Sequence, residues 1–247
     1  MGDDRMNKRA ILCLVILLIL LMFFVCGCGN SENSEASGGA DTVYLKPVAS
    51  YQDILDNVYE VIVADKAADI VEADKLFSAT GIREAKIWRG TDETLSSVGY
   101  TLYDVDGNGI EELIIADKRE NIYDNRILLM YTFHNGKPVL LIDGWMRYRF
   151  YLLDDNTVYN EGSSGAAYTI FATYRMAEDG IRLEAIDCYY SDPGFNYKPD
   201  IVWHHNTTGI VTMEESEIIE FEDENTPENM MNDYRAKVKE LELTFFR

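Results

Sequence analysis

The stretch YTLYDVDGNGIEELIIAD, Tyr100 to Asp117, decides how the chain folds. Its two flanks alternate or run apolar as β-strands do, and the Asp-Gly and Asn-Gly pairs between them are strong hairpin signals. The same texture continues downstream. VGYTLYDV, ELIIAD, ILLMYTF, PVLLID, YRFYLL, TVYNEG, YTIFATYRM and IRLEAIDCYY follow one another, separated by short turns such as HNGK, LDDN and AEDG. Rich in tyrosine and β-branched residues, these segments predict an antiparallel meander. No period repeats cleanly, so a full propeller is not expected.

Helical signals lie on either side. Tyr51, Ile54, Leu55, Val58, Tyr59 and Ile62 recur at helical spacing behind a Ser50/Asp53 capping box. A weaker helix is expected over roughly 67–77, ending before Ala79-Thr80-Gly81. Residues 192–212 read as irregular, and Thr212 with Glu215 marks a short helix. Thr226-Pro227 starts another, whose Met230, Tyr234, Val238 and Leu241 share a face; LELTFF then alternates like a final strand. The expected class is α+β, an antiparallel β-meander flanked by N-terminal and C-terminal helices.

The connection inside the opening stretch carries more acid than a turn needs. With Asp104 as position 1, Asp106 is 3, Asn108 is 5, Ile110 is 7 and Glu112 is 9. Oxygen-bearing side chains occupy alternate positions, Gly109 allows the sharp turn, and the carbonyl of Ile110 is available. That spacing wraps hard oxygen ligands around a Ca²⁺ ion, as in the first half of an EF-hand loop. Position 12 is Ile115, where an EF-hand needs a bidentate glutamate, and the flanks are strands. The simpler alternative is a plain hairpin, but crowded like charges repel unless a cation neutralises them.

The loop resembles the strand-loop-strand calcium loop of FG-GAP and VCBS-type repeats, D-x-D-x-[DN]-G-x-x-[DE], in single copy. The longer string VGYTLYDVDGNGIEELIIAD resembles that of uncharacterised lipoproteins of Gram-positive (Firmicutes-type) bacteria. The N-terminus agrees with this. Lys8 and Arg9 precede an apolar run, ILCLVILLILLMFFV, shorter than the roughly 20 residues that span a bilayer and at the length of a secretory h-region. VCGC, Val25 to Cys28, resembles a lipobox, which implies a lipid anchor on Cys28. The expected organisation is a signal peptide at 1–27, a Ser/Gly/Asn-rich tether at 28–47 and one extracytoplasmic domain at 48–247, held at the outer face of the cell membrane. An uncleaved short anchor is the alternative.

Composition narrows the function. The chain has 43 acidic against 22 basic residues, a formal net charge of −21, which argues against nucleic acid and against anionic head groups. Once Cys13, Cys26 and Cys28 are assigned to the leader and anchor, Cys188 alone remains, so no internal disulfide is expected; in EAIDCYY it reads as a small buried hydrophobe. EGSSGAA, Glu161 to Ala167, lacks the spacing of a nucleophile elbow. His134 sits in a turn, and adjacent His204 and His205 on a strand point to opposite faces. Trp145, Tyr148, Tyr151, Tyr197 and Trp203 could line a carbohydrate or peptide groove, or pack within the sheet.

The resulting expectation is a monomeric, non-enzymatic interaction module with a structural Ca²⁺ loop and an unknown protein or glycan partner. The alternative is a carbohydrate- or peptide-binding recognition component of a cell-envelope complex. An envelope hydrolase is the third reading, for which the sequence supplies no nucleophile–base pair.

Overall fold

The computed structural model describes residues 41–119, 125–165, 167–192, 201–222 and 224–246, with the Met213 side chain excepted. The leader, Cys28, the tether as far as residue 40, and Tyr197 lie outside them. The class is α+β with a large antiparallel sheet, as the sequence predicts.

The fold begins earlier than residue 48. Strand β1 (Thr42–Tyr44) pairs in parallel with β2 (Asp69–Val71), and Leu45 and Val48 are buried. Between them lies α1 (Tyr51–Val63), capped by Ser50, whose hydroxyl oxygen accepts from the Asp53 N–H. Ile54, Val58, Val61 and Ile62 form its buried stripe. The helix expected over 67–77 is absent. Asp65 and Asp74 instead accept from Ala67 N–H and Leu76 N–H, closing turns that compete with a helix. Helices follow where none was expected, as α2 (Thr80–Arg89) and α3 (Thr91–Ser97), with Gly90 at φ +82° between them. Lys86 on α2 is buried, and its ammonium caps the carbonyls of Val61 and Ala64 at the end of α1.

The eight segments expected as strands all form: β3 (Val98–Tyr103), β4 (Glu112–Asp117), β5 (Arg126–His134), β6 (Lys137–Asp143), β7 (Tyr148–Leu152), β8 (Val158–Gly165), β9 (Tyr168–Met176) and β10 (Leu183–Asp192). Val202–Asn206, expected as irregular, is β11, and Glu217–Ile219 is β12. The Met213–Glu215 turn is 3₁₀ with no side-chain cap. Helix α4 (Pro227–Arg235) starts as expected, with Thr226 accepting from Asn229 N–H, but Val238 bridges to Leu153 rather than extending the helical face. Strand β13 (Thr244–Phe245) closes the chain.

Among the described residues the sheet runs β12-β11-β10-β9-β8-β7-β5-β4-β3-β13, with β6 also on β5. It forks at β5: Leu129 faces Asp143 of β6, whereas Ile127 faces Phe150 of β7. Gly144 sits at the fork, its N–H donating to Leu128 O at 2.8 Å. A Cβ there would lie 2.3 Å from the Ile127 carbonyl oxygen, and one on Gly81 of α2 would lie 2.2 Å from that of Gly144. Helix α2 therefore docks glycine on glycine. Strand β4 is buried on both faces, which explains its unbroken apolar sequence. Leu113 and Ile115 pack under α1 and α2, while Ile114 and Ala116 meet Phe150, Val158 and Met176 of the curled sheet. Tyr151, Tyr159 and Phe171 form a third cluster under Met230 and Tyr234 of α4.

Candidate functional site

The acidic loop joins β3 to β4. Gly107 (φ +74°) and Gly109 (φ +87°) stand in open space, so backbone conformation rather than crowding demands glycine there. Asp104 organises the turn: Oδ1 accepts from Gly107 N–H at 2.9 Å and Asn108 N–H at 3.1 Å, and Oδ2 accepts from Gly109 N–H at 2.9 Å. Asp106 accepts from the Asn108 backbone N–H and side-chain amide. Glu112, first residue of β4, is wholly buried. Its carboxylate accepts from Val105 N–H at 2.9 Å and the Thr132 hydroxyl at 3.0 Å.

One oxygen each from Asp104, Asp106 and Glu112 lies within 4.8 Å of the others, a cluster that could hold a metal ion. The donors are all hard oxygens, and each carboxylate keeps at least one oxygen with a lone pair beyond its hydrogen bonds. No lysine or arginine pairs with them among the described residues. Burial pushes the Glu112 carboxyl above its ordinary range, Val105 N–H and Thr132 pull it back, and the two aspartates add to the rise. Asn108 touches the cluster through its amide nitrogen, while its oxygen accepts from Ile110 N–H at 2.7 Å. The Ile110 side chain is exposed. The three carboxylates thus converge; Asn108 and Ile110 shape the turn beside them. The Tyr51 hydroxyl lies 3.0 Å from Glu111 O and 3.2 Å from Tyr131 O, fastening α1 to the loop. Burial pushes that phenol up to about 12.

Two buried carboxylates elsewhere are structural. Asp117 meets Arg89 at 2.7 Å, Arg119 at 2.7 Å and Arg126 at 3.2 Å, joining α2 to the sheet. Glu161 is gripped by Arg149 and Arg235, each at 2.7 Å, and by the Tyr159 hydroxyl, tying α4 down. Ser163 donates to Gly165 O, a turn contact. Cys188 is buried, its thiol pushed up to about 11. His204 and His205 take opposite faces as expected: His204 stacks on Tyr190, and His205 pairs with Asp187 at 2.9 Å.

Of the five aromatics that could line one groove, Tyr197 lies outside the described residues and the other four do not share one. Tyr151 is core under α4, and Trp203 packs against Phe171 and Phe221. Trp145 and Tyr148 instead join Tyr168 and Tyr190 around an open cavity of about 370 Å³, floored by Ile170 and rimmed by Arg147. Tyr168 and Tyr190 lie in segments correctly read as strands, but alternation alone does not tell which strand face bends into a hollow. A comparison with protein-family models, curated proteins and solved structures finds no match for this chain.

Proposed function

We propose that this protein is a lipid-anchored, extracytoplasmic, non-enzymatic interaction module whose β3–β4 loop is locked by one Ca²⁺ ion. The observation that carries the calcium reading is the convergence of Asp104, Asp106 and Glu112, to which no lysine or arginine pairs among the described residues. Calcium suits this set because it accepts irregular shells of hard oxygens, whereas Mg²⁺ demands compact octahedral geometry and keeps its waters. Asn108 would supply its amide oxygen after rotation of that amide, and Ile110 its carbonyl. Without a bidentate glutamate at position 12 the affinity falls in the weak range, roughly 10⁻⁴ to 10⁻³ M.

At millimolar calcium and the tight end of that range, binding adds about 1–2 kcal/mol of stability. The test is thermal melting of wild type and Asp106→Ala, with calcium and with chelator. Wild type gains stability with calcium; Asp106→Ala does not, and its chelated form is equal to or slightly above wild type because one repelling charge is gone. The pH dependence has a definite sign. The folded state raises the Glu112 value, so without a cation its protonation contributes stability at pH below the ordinary glutamate range. That contribution is lost as pH rises through the raised value. Calcium competes with the proton and flattens this fall. Identical melts with calcium and chelator, together with no heat on calcium titration, would reduce the loop to a plain turn.

The anchor has its own test. Two acyl chains hold a protein on a bilayer far better than one, each buried CH₂ contributing about 0.8 kcal/mol. Cys28→Ser is expected to abolish lipid labelling and the cleavage that follows it. A processed, lipid-labelled Cys28→Ser product would overturn the lipobox assignment. The recognition reading, with a glycan or peptide as ligand, is favoured by the aromatic cavity.

A further inference from the structure

The open cavity lies far along the sheet from the acidic loop, on the strands β8, β9 and β10, with the Trp145–Tyr148 turn as one wall and Val211–Thr212 as the other. Its volume is at the lower end of the roughly 300–1,000 Å³ range of small-ligand sites. Four aromatic side chains line it, and two of them, Trp145 at 38% and Tyr168 at 48%, are exposed where a core residue would be covered. Besides the Asp192 carboxylate at one end and Tyr148, whose hydroxyl bonds Tyr174, its polar groups divide into two sets. Ser163, Ser191 and Tyr190 spend their hydroxyls on Gly165 O, Ala167 O and Ser216. The side chains of Arg147, Ser164, Thr169 and Thr212, the Tyr168 hydroxyl and the Trp145 indole N–H bond no described residue.

Aromatic faces set among free hydroxyls and N–H donors suit a ligand that is apolar on one face and hydroxyl-bearing around its rim. A sugar ring has that character. A purely apolar ligand would leave the free donors unsatisfied on burial, at a cost. A peptide adding as a strand has nowhere to pair, because β8, β9 and β10 already have neighbours on both edges. In a chain with nearly twice as many acids as bases, the rim of this cavity carries a guanidinium with no carboxylate partner among the described residues. Guanidinium matches a carboxylate through paired N–H donors.

We propose that the cavity is a binding site for a short acidic saccharide, with Trp145 and Tyr168 stacking on the sugar rings and Arg147 pairing with a uronate carboxylate. This rests on the reading of the protein as an interaction module, and it adds the class of ligand. The small volume admits a short saccharide rather than a long glycan segment.

The test is calorimetric titration of the full-length chain, kept in a detergent without a sugar head group, with glucuronate- and galacturonate-containing disaccharides and their neutral counterparts. A proline-rich peptide, the aromatic-groove alternative, is the third probe. Acidic disaccharides are expected to bind more tightly than neutral ones. Trp145→Ala and Tyr168→Ala are each expected to weaken that binding by about tenfold or more, as truncation of an aromatic anchor does. Arg147→Gln is expected to equalise the acidic and neutral forms without abolishing either. All three residues are surface-exposed, so unchanged melting temperatures check that the fold persists. No heat with any disaccharide, or binding indifferent to Trp145 and Tyr168, overturns the site. Binding of the peptide alone, lost in Trp145→Ala, overturns the saccharide and leaves the interaction module standing. Cleavage of a disaccharide overturns the non-enzymatic reading and leaves the ligand class standing.

Discussion

Asp117→Ala is expected to cost about 3–5 kcal/mol, the range for breaking a buried ion pair by removing one partner. Asp117 is fully buried, and three guanidinium groups converge on it, from Arg89 on α2, Arg126 at the start of β5 and Arg119 just past β4. Arg126 is itself buried and Arg89 nearly so, with side chains 3% and 9% exposed. Arg89 reaches the carboxylate through Nη1 and Arg126 through Nη2, while Arg89 Nη2 and Arg126 Nε are buried without a hydrogen-bond partner among the described residues. Removing the carboxylate leaves like charges facing one another away from water. Asp117→Asn keeps the shape and removes the charge, and is expected to recover only part of the loss. Chemical denaturation measures it: the midpoint falls while the slope stays constant. A cost within 0.5 kcal/mol for both variants would mean that the cluster is hydrated and contributes nothing.

Gly144→Ala is expected at or beyond the upper end of the roughly 1–3 kcal/mol typical of overpacking. The methyl would lie 2.3 Å from the Ile127 carbonyl oxygen, which is strand backbone and cannot step aside as a flexible side chain does. Either Gly144 leaves its bond to Leu128 or the fork between β6 and β7 opens. Gly81→Ala meets the carbonyl oxygen of Gly144 itself, so the two substitutions strain neighbouring contacts that share the Gly144 backbone, and their joint cost is expected to be less than their sum. Gly107→Ala is the contrast, because its neighbourhood is empty and only its positive φ carries a penalty, about 1–2 kcal/mol. Equal stability of Gly144→Ala and wild type would show that the Ile127 carbonyl is not packed against Gly144, and equal stability of Gly81→Ala that α2 is not seated on the fork.

The meander was legible because each strand is bounded by its own turn chemistry, and because β4 is covered on both sides and so reads as an unbroken apolar run. Helix α1 was legible from its stripe and its serine cap. Helices α2 and α3 were not. Gly81 and Gly90 read locally as breakers, whereas Gly81 is required by the approach of the Gly144 backbone, and Lys86 reads as surface although it caps α1 from a buried position. The turns at Asp65 and Asp74 depend on side-chain bonds that periodicity does not record. At the acidic loop, spacing indicated the three carboxylates that converge but not the inward turn of the Asn108 amide. The cavity depends on which strand ends lie side by side, a property of the tertiary fold.

Nearly every strand of the sheet lies beside one made shortly before it, so most pairings close short stretches of chain, a topology that favours fast folding. The exception is the outer margin of β3, where Thr244 pairs with Tyr100 and Phe245 with Gly99. A chain that emerges N-terminus first can zip from β3 to β12 in order of synthesis, yet that margin waits for β13, made after all of them. Until it arrives, β3 presents unpaired N–H and C=O groups to any other chain within reach. Strand β13 acts as a latch, closing that edge only after every other strand of the sheet has been made.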